Sequence, residues 1–268
     1  MLQNSVRMKT TALLGLSLAF FTFSAQARVN FEKATITYIQ NDVAVADIKL
    51  LSMDGSAVKK TNASLNQPIT KENAVVTGDK SRAELKLNDG SVVRLGQFTV
   101  FSFKEGTRDI DLKQGSALMN VPKGMGRTNI KAAAVTAAIT GTTVLFQAFE
   151  GFAAIYVYEG TVEGPNGETL GPGEVLIFEN GKYRVEKFDI SKGVGSAALF
   201  TKFTASPNAG NFTLEQILRL VAQQNGMELP EDFDYNDFID AILNREIEIL
   251  ITDNDEGEPM IDPYSMFN

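Results

Sequence analysis

The chain has 268 residues, 25 of them basic and 33 acidic, for a formal charge of −8. It contains neither cysteine nor histidine, which excludes disulfides, lipoprotein acylation, thiol nucleophiles, a Ser-His-Asp triad and a His/Cys zinc site. The acidic balance argues against nucleic acid and against anionic membrane surfaces, since both need a basic face to displace counterions or meet headgroups.

Arg7 and Lys9 precede an apolar run from Thr11 to Phe23, followed by Ser24-Ala25-Gln26-Ala27. A basic start, a short apolar core and an Ala-x-Ala site predict a secretory signal peptide over 1–27, cleaved after Ala27. The competing reading is an uncleaved anchor, for which the run falls short of the roughly 20 residues that span a bilayer. Loss of Arg7 and Lys9 with the leader takes the formal charge to −10. No later segment is long and apolar enough to span, so no membrane insertion is expected after cleavage.

From Ala34 the pattern is β. Short alternating runs are separated by turn residues every eight to twelve positions, as at Asp54-Gly55, Gln67-Pro68 and Gly78-Asp79. The clearest is Ser81 to Leu95, where Ala83, Leu85 and Leu87 share one face, Glu84 and Lys86 the other, and Asn88-Asp89-Gly90 turns into Val93 and Leu95. Asp-Gly between alternating runs is a hairpin signal, because Gly tolerates the positive φ of tight turns. Further strands are read at Phe98–Phe103, Arg108–Leu112 and Ala117–Val121. Ala132 to Phe146 is alanine-rich, yet Thr136, Thr140, Thr142 and Thr143 disfavour a helix, and a strand, a kink at Gly141 and a second strand are expected instead. Phe152–Tyr158, Thr161–Glu163 and Glu174–Phe178 continue the series, with Gly171-Pro172-Gly173 as a turn. The absence of intervening helices excludes parallel βαβ units. Gly78, Gly90, Gly115, Gly141, Gly160 and Gly173 are expected at turns or kinks, Asp89 as a turn-ordering side chain, and Thr142 as a packed strand residue.

The resulting fold class is mainly β: an antiparallel sandwich, jelly-roll-like, with a short solenoid as the alternative, followed by a small helical region. The expected domains are a β domain over 28–188, a linker over 189–210 with one short helix around Ala197–Phe200, a helical region over 211–252 and an acidic tail over 253–268. Thr213 and Gln216 have capping-box spacing ahead of a stripe of Leu214, Ile217, Leu218 and Val221. From Met227 onward there are thirteen carboxylates and one basic residue, Arg245. Within that stretch Asp253, Asp255 and Glu258 resemble half of a calcium loop without its later bidentate Glu, so calcium is the one cofactor raised; a solvated acidic tail is the simpler reading.

Val76-Thr-Gly78, Ser81-Arg-Ala-Glu-Leu85, Asp89-Gly-Ser91, Leu112 with Gly115, Thr136 to Thr142, Val157 with Glu159-Gly-Thr-Val162, and Leu170 with Gly173-Glu174 together resemble the FecR domain, over roughly 35–178. Proteins of that family are mostly envelope regulators: a periplasmic β domain receives a signal from a TonB-dependent outer-membrane transporter, and a cytoplasmic segment controls a sigma factor. The resemblance implies a β fold and a partner in the envelope. With a signal peptide in place of a cytoplasmic segment, the chain resembles a secreted, stand-alone version located in the periplasm or beyond. Phe212 to Gly226 faintly resembles the helix of the small secretin and TonB signalling fold.

The functional expectation is a non-enzymatic module that binds another envelope protein. The alternative is a structural envelope or matrix component stabilised by calcium. A carboxylate-pair or Ser-Lys hydrolase stays open in principle, with no spacing that singles out residues for it.

Overall fold

The computed structural model describes residues 29–51, 59–190, 198–203 and 205–212, with 219 and 222. The stretches expected to be a leader, a helix opening at Thr213 and an acidic tail lie outside them, apart from 219 and 222. Fifteen strands follow in order: β1 Ala34–Gln40, β2 Val43–Asp47, β3 Lys60–Asn62, β4 Pro68–Ile69, β5 Asn73–Thr77, β6 Arg82–Leu87, β7 Val92–Leu95, β8 Val100–Lys104, β9 Asp109–Asn120, β10 Thr128–Ala132, β11 Val135–Phe149, β12 Phe152–Glu163, β13 Thr169–Leu170, β14 Glu174–Glu179 and β15 Lys182–Lys187. After them the described residues include a short helix, α1 Ala198–Thr201, and a 3-10 turn at Ala209–Phe212. Among the described residues no helix is long and apolar enough to cross a membrane.

All fifteen strands belong to one hydrogen-bonded sheet that folds over on itself. The fold is therefore mainly β and sandwich-like, with both layers cut from one sheet. The three long strands make the fold-over. The second half of β9 pairs with β7 and with the second half of β11, whereas its first half pairs with β8 and β10. In the same way β11 pairs first with β10 and the end of β12, then with β9 and the start of β12. One layer runs β15-β14-β12-β11-β9-β7-β6-β1-β4, and the other is built from β13, the far halves of β12, β11 and β9, and β10, β8, β5, β2 and β3. One pairing departs from the antiparallel expectation: β9 and β10 run parallel, Ile110 opposite Ile130. Here the connection runs through the second half of β9, which lies in the other layer, and returns over residues 121–127, so no helix is needed to bring the chain back parallel.

A residue-level signature marks each bend. Inward residues on β11 are Val135, Ala137 and Ile139 before the bend and Val144, Phe146 and Ala148 after it; on β12 they are Ala153, Ile155 and Val157, then Val162. On β9 they change from Ile110 and Leu112 to Ala117 and Met119. Odd and even positions exchange at Gly141, Gly160 and Gly115, all with positive φ. Strand alternation has period two, so one extra residue in a bulge at the bend keeps the same face of the strand on the core as it enters the second layer. The core between the layers includes Phe31, Ile36, Leu85, Phe101, Leu112, Phe146 and Ile155.

A second apolar cluster lies on the outer face of the first layer. Leu118, Leu145, Tyr156 and Val175 form a row across β9, β11, β12 and β14, in register. Phe188, Ile190, Leu199, Phe200, Phe203 and Phe212 cover that face. Tyr158 packs edge-on against Phe188 and Phe200, with ring centroids 5.3 and 4.8 Å away. The segment expected as a linker thus includes α1 and carries aromatic side chains into the sheet, burying surface that would otherwise be left to water.

Candidate interaction site

The hairpin of β6 and β7 carries the first polar centre. Glu84 and Arg94 are cross-strand partners whose side chains point to the outer face, where alternation alone would place them in solvent. Both are fully buried, joined by Arg94 Nε to Glu84 Oε2 at 3.0 Å. Glu84 Oε1 accepts from Thr37 Oγ1 at 2.8 Å, Ser206 Oγ at 2.5 Å and Asn208 Nδ2 at 2.8 Å. Arg94 donates through Nη1 to the carbonyls of Leu199 at 3.1 Å and Phe200 at 3.4 Å. Its guanidinium lies over the rings of Phe203 and Phe212, 4.7 and 4.2 Å from their centroids. Burial lowers the Arg94 pKa, and the bond to Glu84 opposes that shift. A buried ion pair persists when its remaining donors and acceptors are satisfied, and here residues 199–212 satisfy them. This centre fastens the C-terminal segment to the sheet.

A second buried pair closes the other end of the hairpin. Arg108 Nη2 donates to Asp89 Oδ2 at 2.7 Å and its Nε to Thr128 Oγ1 at 3.0 Å, with the guanidinium 4.6 Å over Phe31. Asp89 also accepts from the backbone N–H and the hydroxyl of Ser91, at 2.9 and 2.8 Å. Asp89 therefore orders the turn as expected, and in addition ties it to β9 and β10.

The third feature is exposed. Three turns, at 41–42, 78–81 and 96–99, meet at one tip. Thr77 Oγ1 donates to the Gly96 carbonyl at 2.5 Å and accepts from the Thr99 N–H at 2.8 Å. Gly78 N–H donates to the Asp42 carbonyl at 2.8 Å, and Phe98 N–H to the Gly78 carbonyl at 3.2 Å. Asn41 Nδ2 donates to the Lys80 carbonyl at 2.7 Å, and Lys80 N–H to Gln97 Oε1 at 3.1 Å. Asn41, Lys80 and Phe98 all have left-handed backbones, with φ of 58°, 49° and 51°. For a bulky residue such as Phe this conformation is costly, by about 1–2 kcal/mol. Phe98 is 43 % exposed and belongs to neither apolar cluster. Sequence alternation assigns Phe98 to a strand; the strand begins two residues later, at Val100, because the turn over Gly115 intervenes. A Cβ on Gly115 would lie 2.5 Å from Thr99 Cα and 2.8 Å from the Phe98 carbonyl oxygen, so glycine there lets the tip settle onto β9.

The motif residues Thr77, Gly78, Ser81 and Gly115 thus converge on the tip, while Gly141, Thr142 and Gly160 meet at the bend between β11 and β12. Local alternation does not mark Glu84, Arg94 or Phe98 as site residues. The opposite charges facing each other across the Asp-Gly turn, and the five apolar residues after Phe188 in need of a surface, Ile190, Leu199, Phe200, Phe203 and Phe212, are the signals that point to the first two. Nothing in the alternation pattern marks Phe98. The calcium candidates Asp253, Asp255 and Glu258 lie outside the described residues.

No curated protein matches the chain. Among solved structures, two from Parabacteroides distasonis, each provisionally described as an anti-sigma factor, are similar to it. One is 21 % identical over 46 % of this chain, with a TM-score of 0.41, and the chain spans 62 % of its length. The other is 19 % identical over 60 % of this chain and 95 % of its own, with a TM-score of 0.42. The family model described as FecR protein matches residues 73–163, the stretch that holds the hairpin, Phe98 and all three bends. Residues 73–163 are a FecR-family domain.

Proposed function

We propose that the chain is a non-enzymatic protein-binding module of the bacterial envelope, secreted to the periplasm or beyond, and that its docking element is the tip carrying Phe98. The observation that carries this reading is a partly exposed aromatic residue held in a strained backbone by a hydrogen-bonded set of turns. Strain of this kind persists where surrounding structure enforces it, and it concentrates at sites that work on something else. A fixed aromatic ring gives a partner a large apolar anchor at little entropy cost. The FecR-family domain supports the class of role, a regulatory or transport-linked contact with another envelope protein. The partner offers an apolar socket for the ring.

Phe98→Gly separates binding from folding. Glycine adopts the left-handed backbone freely, so the variant is expected to be as stable as the parent or up to about 1 kcal/mol more so. Loss of an aromatic anchor is expected to cost about 2 kcal/mol of affinity, roughly thirty-fold in Kd. In-cell crosslinking and affinity capture of the tagged mature chain, beside the variant, gives the readout: one envelope protein retrieved by the parent and lost with Phe98→Gly. Equal retrieval by both, or no envelope protein with either, would sink the proposal.

A further inference from the structure

The first layer ends at β15, which pairs with β14 and, among the described residues, with no strand on its other side. Phe188 N–H donates to the Gly173 carbonyl at 2.9 Å, one step beyond the Lys187–Glu174 pair. Hydrogen-bonded pairs alternate along an antiparallel ladder. The backbone groups of residues 182, 184 and 186 therefore face β14, and those of Tyr183, Val185 and Lys187 face outward. Tyr183 and Val185 stand on the inner face, opposite Phe178 and Leu176, yet they are 37 % and 45 % exposed. An edge with outward-facing donors and acceptors and exposed apolar side chains is a template for another strand.

The pattern of this strand says which one. We propose that β15 pairs antiparallel with β15 of a second copy of the chain, about a twofold axis at Val185, so that one sheet runs through both protomers. This register opposes Val185 to Val185, Arg184 to Glu186, Tyr183 to Lys187 and Lys182 to Phe188, and it uses the outward backbone groups. The neighbouring twofold registers fail on charge. Centring on 184 opposes Arg184 to itself, on 186 Glu186 to itself, on 187 Lys187 to itself, and on 183 Lys182 to Arg184; like charges directly opposite destabilise a pair. Arg184 already bonds Glu186 and Glu179 within its own chain, at 2.5 and 3.0 Å, so the guanidinium sits among carboxylates on the face where the second Glu186 arrives.

The chain lacks cysteine, so one introduced cysteine can form a disulfide only between copies. At a hydrogen-bonded antiparallel pair the Cα atoms are about 5.5 Å apart, within disulfide reach. Under mild oxidation of the mature full-length chain, Val185→Cys is expected to convert most of the protein to a covalent dimer, whereas Lys182→Cys, which faces Phe188, is not. Sedimentation of the cysteine-free protein is expected to show a dimer that is lost with Arg184→Glu, lost with Glu186→Arg, and restored when both are combined. Val185→Pro removes an outward N–H without touching the β14 ladder, and it is expected to give a folded monomer. A monomeric parent at every concentration, equal crosslinking at 182 and 185, or a dimer indifferent to the charge reversals would overturn the proposal.

Discussion

Glu84→Ala is expected to destabilise the protein by about 3–5 kcal/mol, because removing one partner leaves the other charge buried and unpaired. Arg94 would keep its carbonyl and ring contacts but lose its carboxylate, and the Thr37, Ser206 and Asn208 donors would lose their shared acceptor. Ser206 and Asn208 belong to the covering segment, so the loss reaches beyond the hairpin: the cover over Tyr156, Tyr158 and Leu145 loosens as well. Denaturant unfolding followed in parallel by tyrosine fluorescence and by proteolysis of the C-terminal segment checks both effects. Cleavage after Phe188 is expected under conditions in which the parent stays intact. Replacing Glu84 and Arg94 together by Met is expected to recover a large part of the loss, since an apolar pair needs no compensation. A single-variant loss below about 1 kcal/mol, the range of exposed ion pairs, would mean that the segment does not seat on this centre.

Gly160→Ala is expected to rank with it. The residue sits at φ 81°, and a Cβ there would lie 2.5 Å from Thr142 Cγ2 and 2.6 Å from the Gly141 carbonyl oxygen. A left-handed alanine costs about 1–2 kcal/mol, and forcing a methyl into packed backbone costs about 1–3 kcal/mol more. Gly141 faces the same junction from the other strand, so the backbone has little room to yield. The expected result is a loss of about 2–5 kcal/mol in equilibrium unfolding. Gly181→Ala serves as the comparison: it has a similar φ of 75° with nothing within 4 Å of its Cβ position, so it reports the conformational cost alone. Equal losses at the two positions would show that the crossing at Gly160 is not tight.

Much of the β architecture was legible in the residues. The hairpin about Asp89-Gly90, the kink at Gly141 and the strands flanking Gly171-Pro172-Gly173 all depend on alternation and turn chemistry, which act over a few residues. The two-layer fold-over was legible too in principle, in the exchange of odd and even apolar positions at Gly115, Gly141 and Gly160. What alternation conceals is what covers a face. Glu84 and Lys86 look equally solvent-facing along β6, and only residues more than a hundred positions away decide that Glu84 is buried. The parallel pairing of β9 with β10 is hidden for a related reason, since register between distant strands is set by the bend and not by either strand. Phe98 is the clearest case of local pattern misleading, because an apolar residue at the start of an apolar run reads as strand until the turn over Gly115 is seen.

Because β9, β11 and β12 each run unbroken through both layers, the layers share covalent backbone as well as side-chain packing. Neither can open like the cover of a book without tearing ladder bonds in the other. Independently opening units require a boundary that few contacts cross, and three continuous strands cross this one. Amide protons on both sides of Gly115, Gly141 and Gly160 should therefore exchange through a single global opening, and a pull on one layer is borne at once by the other.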